Sequence, residues 1–258
     1  MSRITKAFDG KKAFIAFLTA GDPDYETSII NFRAVIEAGA DLIEVGIPFS
    51  DPIAEGPVIQ EADIRALESG MTTDKVFQLV KTLRADYDLP IVFMTYANPV
   101  FHYGAERFFK NAADAGADGI IIPDCPFEER AEFEDAAQKN GIDFISMIAP
   151  TSENRIKTIA SQAKGFIYVV SSLGVTGVRS EIKTDIDSIV KLIKENTDTP
   201  AAIGFGISTP EQASAMSKKA DGVIVGSAMV RIVAQYGKDA PLKLAEYVKS
   251  MVGAEMKK

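Results

Sequence analysis

The segment Glu37-Ala38-Gly39-Ala40-Asp41-Leu42-Ile43-Glu44-Val45 predicts the end of a helix, a tight turn and a short buried strand. Glycine suits the end of a helix because it adopts a left-handed conformation without a Cβ clash. The strand is nearly all apolar, which is typical of parallel sheets that are covered on both faces. A similar pattern returns at residues 114–122. It returns again at residues 218–225, where Lys219 takes the place of the turn glycine. These repeats predict βαβ units.

Eight such strands alternate with helices along the chain. Strands are predicted near residues 13–18, 41–45, 90–95, 118–122, 142–148, 166–170, 200–204 and 221–225, and helices near residues 25–38, 58–68, 73–86, 105–115, 128–140, 153–163, 185–196, 210–218, 227–235 and 240–252. Eight strands in about 250 residues match a closed (β/α)8 barrel, and an open doubly wound sheet is the alternative. No linker-like segment divides the chain, so we expect residues 1–258 to form one α/β domain, a (β/α)8 TIM barrel with extra short helices. In such a barrel the active site lies at the C-terminal ends of the strands.

Composition and charge narrow the classes of function. The chain has 258 residues and a formal net charge of −8. This charge argues against nucleic acid or an anionic membrane as the main partner, because both attract clustered Lys and Arg. A single histidine, His102, and a single cysteine, Cys125, cannot build a structural zinc site, so no metal is expected. Cys125 has no histidine beside it in sequence, which argues against a thiol nucleophile.

The sequence also bears on cellular location. One cysteine permits no internal disulfide, which fits a reducing compartment. Residues 1–6 lack the apolar core of a signal peptide, and no apolar run approaches the roughly 20 residues that span a bilayer. We therefore expect a soluble cytoplasmic protein.

Glu44 is the most unusual residue of the predicted strands. A carboxylate in a buried strand is costly unless it finds a partner or takes up a proton. A raised pKa would let Glu44 donate and accept protons near neutral pH, as catalytic groups do. The alternative is a structural carboxylate that is satisfied by a neighbouring arginine or by backbone N–H groups.

The last three loops of the barrel predict a phosphate site. Glycine-rich segments follow strands six, seven and eight at residues 171–177, 204–208 and 226–227. Glycine lets backbone N–H groups approach an anion closely, and the predicted helix at 227–235 would direct its positive N-terminus at the same point. Phosphate sites of this fold commonly use the loops after strands seven and eight. The alternative is that the glycines only serve tight turns.

Other side chains lie at the same predicted end of the barrel. Glu55 lies in a Pro- and Gly-punctuated loop placed to close over a ligand, and Asp124 follows strand four. Asp22 precedes a proline, as in ordinary turns. Tyr96 and Tyr168 lie at strand ends, where core packing and substrate contact both suit a tyrosine.

Residues 44–52 (Glu-Val-Gly-Ile-Pro-Phe-Ser-Asp-Pro) and 56–60 (Gly-Pro-Val-Ile-Gln) closely resemble the tryptophan synthase α subunit family. Other phosphate-binding barrels share the glycine loops but not this loop after strand two. Further matches are spread over nearly the whole chain, in family order and at family spacing: residues 19–23, 94–99, 121–124, 174–177, 204–208 and 225–227.

The resemblance implies a lyase that cleaves indole-3-glycerol phosphate to indole and glyceraldehyde 3-phosphate, a retro-aldol step of tryptophan biosynthesis with no cofactor in this chain. Family members pair with a β subunit that uses pyridoxal phosphate, so the resemblance implies an α2β2 heterotetramer. Loops that include Asn98, His102 and residues 174–180 match regions that meet the β subunit. The resemblance also assigns site residues. Glu44 and Glu55 match the catalytic carboxylates. Positions near the substrate or in loop closure are matched by Phe17, Tyr96, Asp124, Tyr168 and Thr176. Phosphate-site positions are matched by Gly177, Phe205, Gly206, Gly226 and Ser227.

Position 55 departs from the family pattern. The family commonly has Ala-Asp-Gly where this chain has Ala54-Glu55-Gly56, so the carboxylate reaches one methylene further. One alternative is therefore an allosteric or binding partner of the β subunit with weak lyase activity of its own. Another is a different phosphate-binding barrel, such as an indole-glycerol-phosphate synthase. That enzyme would need a lysine in the barrel mouth, and no predicted strand carries one.

Overall fold

A parallel barrel forms the centre of the molecule in the computed structural model, which describes residues 2–170, 185–204 and 206–253. Every strand pairing is parallel, in the order β5-β4-β3-β2-β1-β9-β8-β7-β6. The strands are β1 (Ala13–Thr19), β2 (Leu42–Gly46), β3 (Ile91–Met94), β4 (Gly119–Ile121), β5 (Asp143–Phe144), β6 (Ser146–Ile148), β7 (Ile167–Val170), β8 (Ala201–Gly204) and β9 (Gly222–Val225). The predicted α/β TIM-barrel fold is confirmed, and the open doubly wound sheet is wrong.

The barrel is joined at the predicted fifth strand, which the structure divides in two. β5 pairs with β4, and β6 pairs with β7. Ile145 separates them, and its N–H donates to the Ile120 carbonyl at 2.9 Å. One chain segment therefore contacts both neighbouring strands of the cylinder.

Helices cover the outside of the barrel. They are α1 (Arg3–Lys6), α2 (Tyr25–Glu37), α3 (Pro57–Glu68), α4 (Thr73–Asp86), α5 (Ala97–Tyr103), α6 (Ala105–Ala115), α7 (Ala131–Lys139), α8 (Glu153–Ala160), α9 (Ile186–Lys194), α10 (Pro210–Ser217), α11 (Ser227–Tyr236) and α12 (Ala240–Met251), with a 3-10 turn at Gly237–Asp239. Most were predicted within one to three residues, and α1 and α5 were not predicted. Within the described ranges, no helix is both long enough and apolar enough to cross a membrane.

Two apolar layers hold the barrel together. The outer layer lies between strands and helices, and Phe14, Phe93 and Phe108 are among its fully buried members. The inner layer fills the cylinder with residues such as Ile15, Leu42, Val92, Ile121 and Ile224. Because side chains alternate along a strand, Glu44 shares the inward face with Leu42, two residues before it.

Three aspartates fasten the N-terminal ends of the strands, a role that sequence reasoning missed. Asp118, just before β4, accepts the Ile91 N–H at 2.9 Å on its side chain and donates its own N–H to the Ile91 carbonyl at 2.8 Å. Asp41 forms the same two-bond pair with Phe14, and Asp221 forms it with Ala201. Each carboxylate also binds a cation: Lys11 at Asp41, Arg84 at Asp118 and Lys194 at Asp221. The aspartate that precedes the strand in each repeat therefore aligns that strand with its neighbour.

Candidate active site

Glu44 lies inside the C-terminal end of the barrel, on β2. It is 1% exposed, and neither carboxyl oxygen has a hydrogen-bond partner among the described residues. Burial, followed by repulsion from Glu55, raises the pKa of Glu44 to about 8. The structure thus favours the catalytic interpretation over a satisfied structural carboxylate, since a group with this pKa exchanges protons near neutral pH.

Glu55 lies in the loop between β2 and α3 and is also buried, at 5% exposure. Its N–H donates to the Pro52 carbonyl at 3.2 Å, and its carbonyl accepts from Gln60 Nε2 at 2.8 Å. These bonds hold the loop backbone on both sides of the carboxyl group. The longer glutamate side chain is therefore buried, on a loop whose backbone is fixed.

Tyr96 joins the same loop to the end of β3. Its hydroxyl accepts the Ala54 N–H at 3.1 Å, and its ring lies 5.6 Å from that of Phe49. Burial and the nearby Glu55 raise the pKa of Tyr96, so the phenol stays protonated at neutral pH. Asp124 supports this segment because its carboxylate accepts the Ala97 N–H at 2.9 Å, at the start of α5.

Tyr168 reaches the same space from β7. Burial and the carboxylates of Glu44 and Glu55 raise its pKa well above the usual range. Its hydroxyl lies where residue 204 has no side chain, because a Cβ on Gly204 would lie 2.3 Å from the hydroxyl oxygen. Tyr168 therefore occupies its position only because a glycine stands opposite.

Phe17 fills the inward face of β1 and pairs in register with Glu44. A Cβ on Gly46 would lie 2.8 Å from its ring, and one on Gly226 would lie 3.2 Å away. The ring therefore lies in a slot between two glycines, next to β2.

The predicted phosphate site lies at the start of α11. Gly226 precedes the helix without a side-chain cap, and Ser227 is its first residue. Uncapped N–H groups at a helix N-terminus favour an anion. Gly206, after β8, has φ +83°, a left-handed conformation that suits glycine. Thr176, Gly177 and Phe205 lie outside the described residues.

A cavity of about 420 Å³ opens beside Glu55. Met94, Pro123, Phe127 and Val170 contribute apolar walls. Arg130 and Arg155 also line the cavity, and Glu44 is not among its lining residues. Among the described residues, no group of three or more His, Cys, Asp or Glu side chains could hold a metal ion.

Sequence reasoning missed two residues of α3. Asp63 is 5% exposed and lies near Glu55. Arg65 binds Asp22 through two bonds of 2.8 Å, so Asp22 is a structural ion-pair partner and not only a turn residue. The only sequence signal for Asp63 was its helical spacing with the buried Ile59 and Ala66.

Comparison with known proteins decides the family. A sequence model of the tryptophan synthase alpha chain matches residues 5–258. The chain belongs to the tryptophan synthase alpha chain family. The resemblance in the sequence motifs is thereby confirmed.

Relatives and solved structures in this family match over nearly their full length. The tryptophan synthase alpha chain of Lacticaseibacillus casei is 49% identical, with 100% of this chain and 97% of the relative covered. A structure of Mycobacterium tuberculosis tryptophan synthase has a TM-score of 0.90 at 32% identity and covers 100% and 99% of the two chains. The tryptophan synthase complex from Pyrococcus furiosus has a TM-score of 0.86 at 38% identity, with 94% and 99% covered.

We expect Gly46→Ala to disturb this family's barrel mouth. The new methyl group would push the Phe17 ring, and such overpacking destabilises by about 1–3 kcal/mol. Chemical denaturation measures the decrease in the free energy of unfolding. Gly253→Ala is the matched control, because its Cβ would meet only ordinary contact at 3.7 Å. Equal stability of the two variants would contradict the slot.

Proposed function

We propose that this chain cleaves indole-3-glycerol phosphate to indole and glyceraldehyde 3-phosphate, as the α subunit of a tryptophan synthase. The observation that carries the proposal is Glu44, a buried carboxyl group without a partner among the described residues and with a pKa of about 8. Family membership supports the same reaction. No lysine occurs in the nine described strands, which counts against the alternative of an indole-glycerol-phosphate synthase, since that enzyme would need a lysine in the barrel mouth.

Glu44 performs both proton transfers of the retro-aldol reaction. Its protonated form gives a proton to C3 of the indole ring, which produces a cationic ring. The resulting carboxylate takes the proton from the adjacent glycerol hydroxyl as the carbon–carbon bond breaks. The bonding electrons return to the ring, indole leaves, and the aldehyde forms. Glu44 ends protonated again, so one group near neutral pKa suffices.

Glu55 stabilises the positive charge of the ring. Its carboxylate accepts a hydrogen bond from the indole N–H, which becomes more acidic when C3 is protonated. The apolar wall of the cavity beside Glu55, formed by Met94, Pro123, Phe127 and Val170, holds the ring. Because the carboxylate and the cavity adjoin, binding and charge stabilisation occur at one place.

The phosphate group binds at the N-terminus of α11, through Gly226 and Ser227, with Gly206 from the neighbouring loop. We assign Thr176, Gly177 and Phe205 to the same end of the substrate on the family motif alone. Remote binding of the phosphate positions the reacting bond at Glu44. Phe17 and Tyr168 pack around the substrate. Tyr96 holds the loop that carries Glu55, and Asp124 holds the start of α5 next to Tyr96.

We also propose that the reaction takes place in an α2β2 complex with a β subunit. The structures from Pyrococcus furiosus and Mycobacterium tuberculosis are of tryptophan synthase, and the former is named a complex. Ile53 and Phe101 are 75% and 68% exposed beside the barrel mouth, where an α2β2 partner would cover them. In this proposal the β subunit holds the pyridoxal phosphate and this chain needs no cofactor. The lone cysteine supports a cytoplasmic location, and the continuous barrel supports one domain over residues 1–258.

We expect Glu55→Asp to lower indole release about tenfold, because the site is shaped for the longer side chain and small misplacements reduce rates strongly. The assay measures indole from indole-3-glycerol phosphate, with and without a β subunit. Glu61→Asp, at an exposed position of α3, is the control. A faster Glu55→Asp enzyme would instead show that the glutamate weakens the lyase, which favours a chain that serves mainly as a binding partner.

A further inference from the structure

Asp63 is a buried carboxyl group that the proposed reaction does not use. It lies on α3, one side-chain oxygen is 3.5 Å from the Thr19 hydroxyl at the end of β1, and the backbone N–H of Phe49 lies close enough to stabilise its charge. Thr19 is itself 2% exposed. The carboxyl group therefore connects three elements: α3, the end of β1 and the loop that carries Glu55.

The charges around Asp63 disfavour its ionised form. Glu55 from the loop and Asp22 from the β1–α2 connection both repel it. Arg65, two residues further along α3, is bound through both of its contacts to Asp22. Among the described residues, no Lys or Arg lies within ion-pair distance of Asp63.

In the described ranges, the remaining elements that pack on this region supply no compensating charge. Tyr96 lies close enough for the charge of Asp63 to raise its pKa, and burial keeps this phenol neutral. Helix α11 packs on α3, and its one charged residue, Arg231, is exposed to solvent. Buried like charges do not all ionise together, so one of them keeps its proton.

We propose that Asp63 is a positioning residue of the lyase, a neutral carboxylic acid that ties the loop of Glu55 to the end of β1. This inference rests on the proposed function. The Phe49 N–H and the Thr19 hydroxyl favour the charged form of Asp63, but burial and the charge of Glu55 outweigh them and raise its pKa to about 8, which agrees with a neutral acid at pH 7. The neutral form holds the Phe49 N–H and Thr19 without adding a second negative charge beside Glu55.

Two substitutions separate shape from charge. Asp63→Asn keeps a neutral side chain of the same shape, with an oxygen for the Phe49 N–H and an NH2 group toward Thr19. Asp63→Ala removes both contacts. We expect Asp63→Asn to keep kcat within about threefold of wild type at pH 7, and Asp63→Ala to lower kcat about tenfold or more, since positioning acts on the reacting geometry.

The pH profile adds a readout that a merely structural role would not move. As pH rises from 7 to 9, wild type gains charge at Asp63 and the asparagine variant does not. The ratio of the Asp63→Asn rate to the wild-type rate should therefore increase, and the titration of Glu44 cancels in the ratio. Asp143→Asn is the control, because burial also raises the pKa of Asp143, at the start of β5 on the opposite end of the barrel. Its ratio to wild type should stay constant.

Amide hydrogen exchange of residues 47–56 tests the tie independently of catalysis. Exchange should speed up in Asp63→Ala and stay as in wild type in Asp63→Asn. Unchanged exchange in Asp63→Ala would overturn the tie, and an asparagine variant as slow as the alanine variant, or a rate ratio that is flat with pH, would overturn the neutral acid. A wild-type chain that releases no indole would sink the proposed function, while the exchange experiment would still decide the role of Asp63.

Discussion

Glu44→Gln is expected to lower the rate of indole release by roughly 10²–10⁴-fold while the barrel stays folded, since this is the usual contribution of a general acid and base. Glutamine fits the same buried space but neither delivers nor removes a proton. Release of indole by the purified variant, alone and with a β subunit, measures the effect. Glu68→Gln, an exposed position at the end of α3, should retain the wild-type rate.

Comparison of wild type with Glu44→Gln tests the pH dependence of both turnover and folding stability. Wild-type turnover should decline above pH 8, because Glu44 with a pKa of about 8 loses the proton that the ring must receive. Stability changes in a lower window. The unfolded chain releases this proton near the ordinary pKa of 4.5 and the folded chain keeps it to about 8. The contribution of Glu44 to stability therefore falls as pH rises between these values, by up to about 1.4 kcal/mol per pH unit. Glu44→Gln lacks this contribution and keeps the similar one of Asp63, so its stability falls less steeply with pH than that of wild type.

Near-normal turnover in Glu44→Gln would contradict the mechanism directly. An unfolded variant would leave the pH dependence of wild-type turnover as the deciding measurement. A wild-type rate that stays constant from pH 7 to 9.5 would then remove Glu44 as the proton donor.

Asp118→Ala should give the largest loss of stability, about 2–4 kcal/mol, because it removes a largely buried ion pair and the side-chain acceptor of the Ile91 N–H together. The carboxylate binds Arg84 at 2.7 Å, Arg3 at 3.1 Å and the Ile91 N–H at 2.9 Å. For a chain of this size the midpoint of thermal unfolding should fall by roughly 5–15 °C. Calorimetry or circular dichroism measures the shift.

Asp88→Ala is the matched control for Asp118→Ala. Asp88 also binds Arg3, at 2.6 Å, but its side chain is 84% exposed. Surface ion pairs contribute little, so its removal should leave the midpoint nearly unchanged. Equal shifts in the two variants would show that the bond between Asp118 and Ile91 does not hold the strands in register.

The alternation of helices and short apolar strands was readable from the sequence because both have a regular period of burial. Features without such a period were missed. Helix α5 follows β3 where Asn98 and Pro99 suggested only a loop, and Asp124 from the loop after β4 accepts its first N–H. The break at Ile145 was also missed, because it follows from joining β4 to β7 around a closed cylinder.

The candidate site shows the same division. Glu44 stood out because a carboxylate interrupts an apolar strand, and the glycines at 206 and 226 stood out because only turns or anions require them there. Asp63 did not stand out, since an aspartate on an amphipathic helix is ordinary. Its burial depends on Thr19 and Phe49, which lie 44 and 14 residues before it in the chain.

Local pattern alone therefore predicted the alternation of strands and helices, singled out Glu44 on β2 and carried the resemblance to the family. The closed tertiary structure decided which groups share a charge environment: Glu44 beside Glu55, Asp63 without a cation among the described residues, and Tyr168 against Gly204. The physical reason is range. Periodic burial is encoded over a few neighbouring residues, whereas a pKa or a steric fit depends on side chains that only the folded barrel brings within a few ångströms of each other.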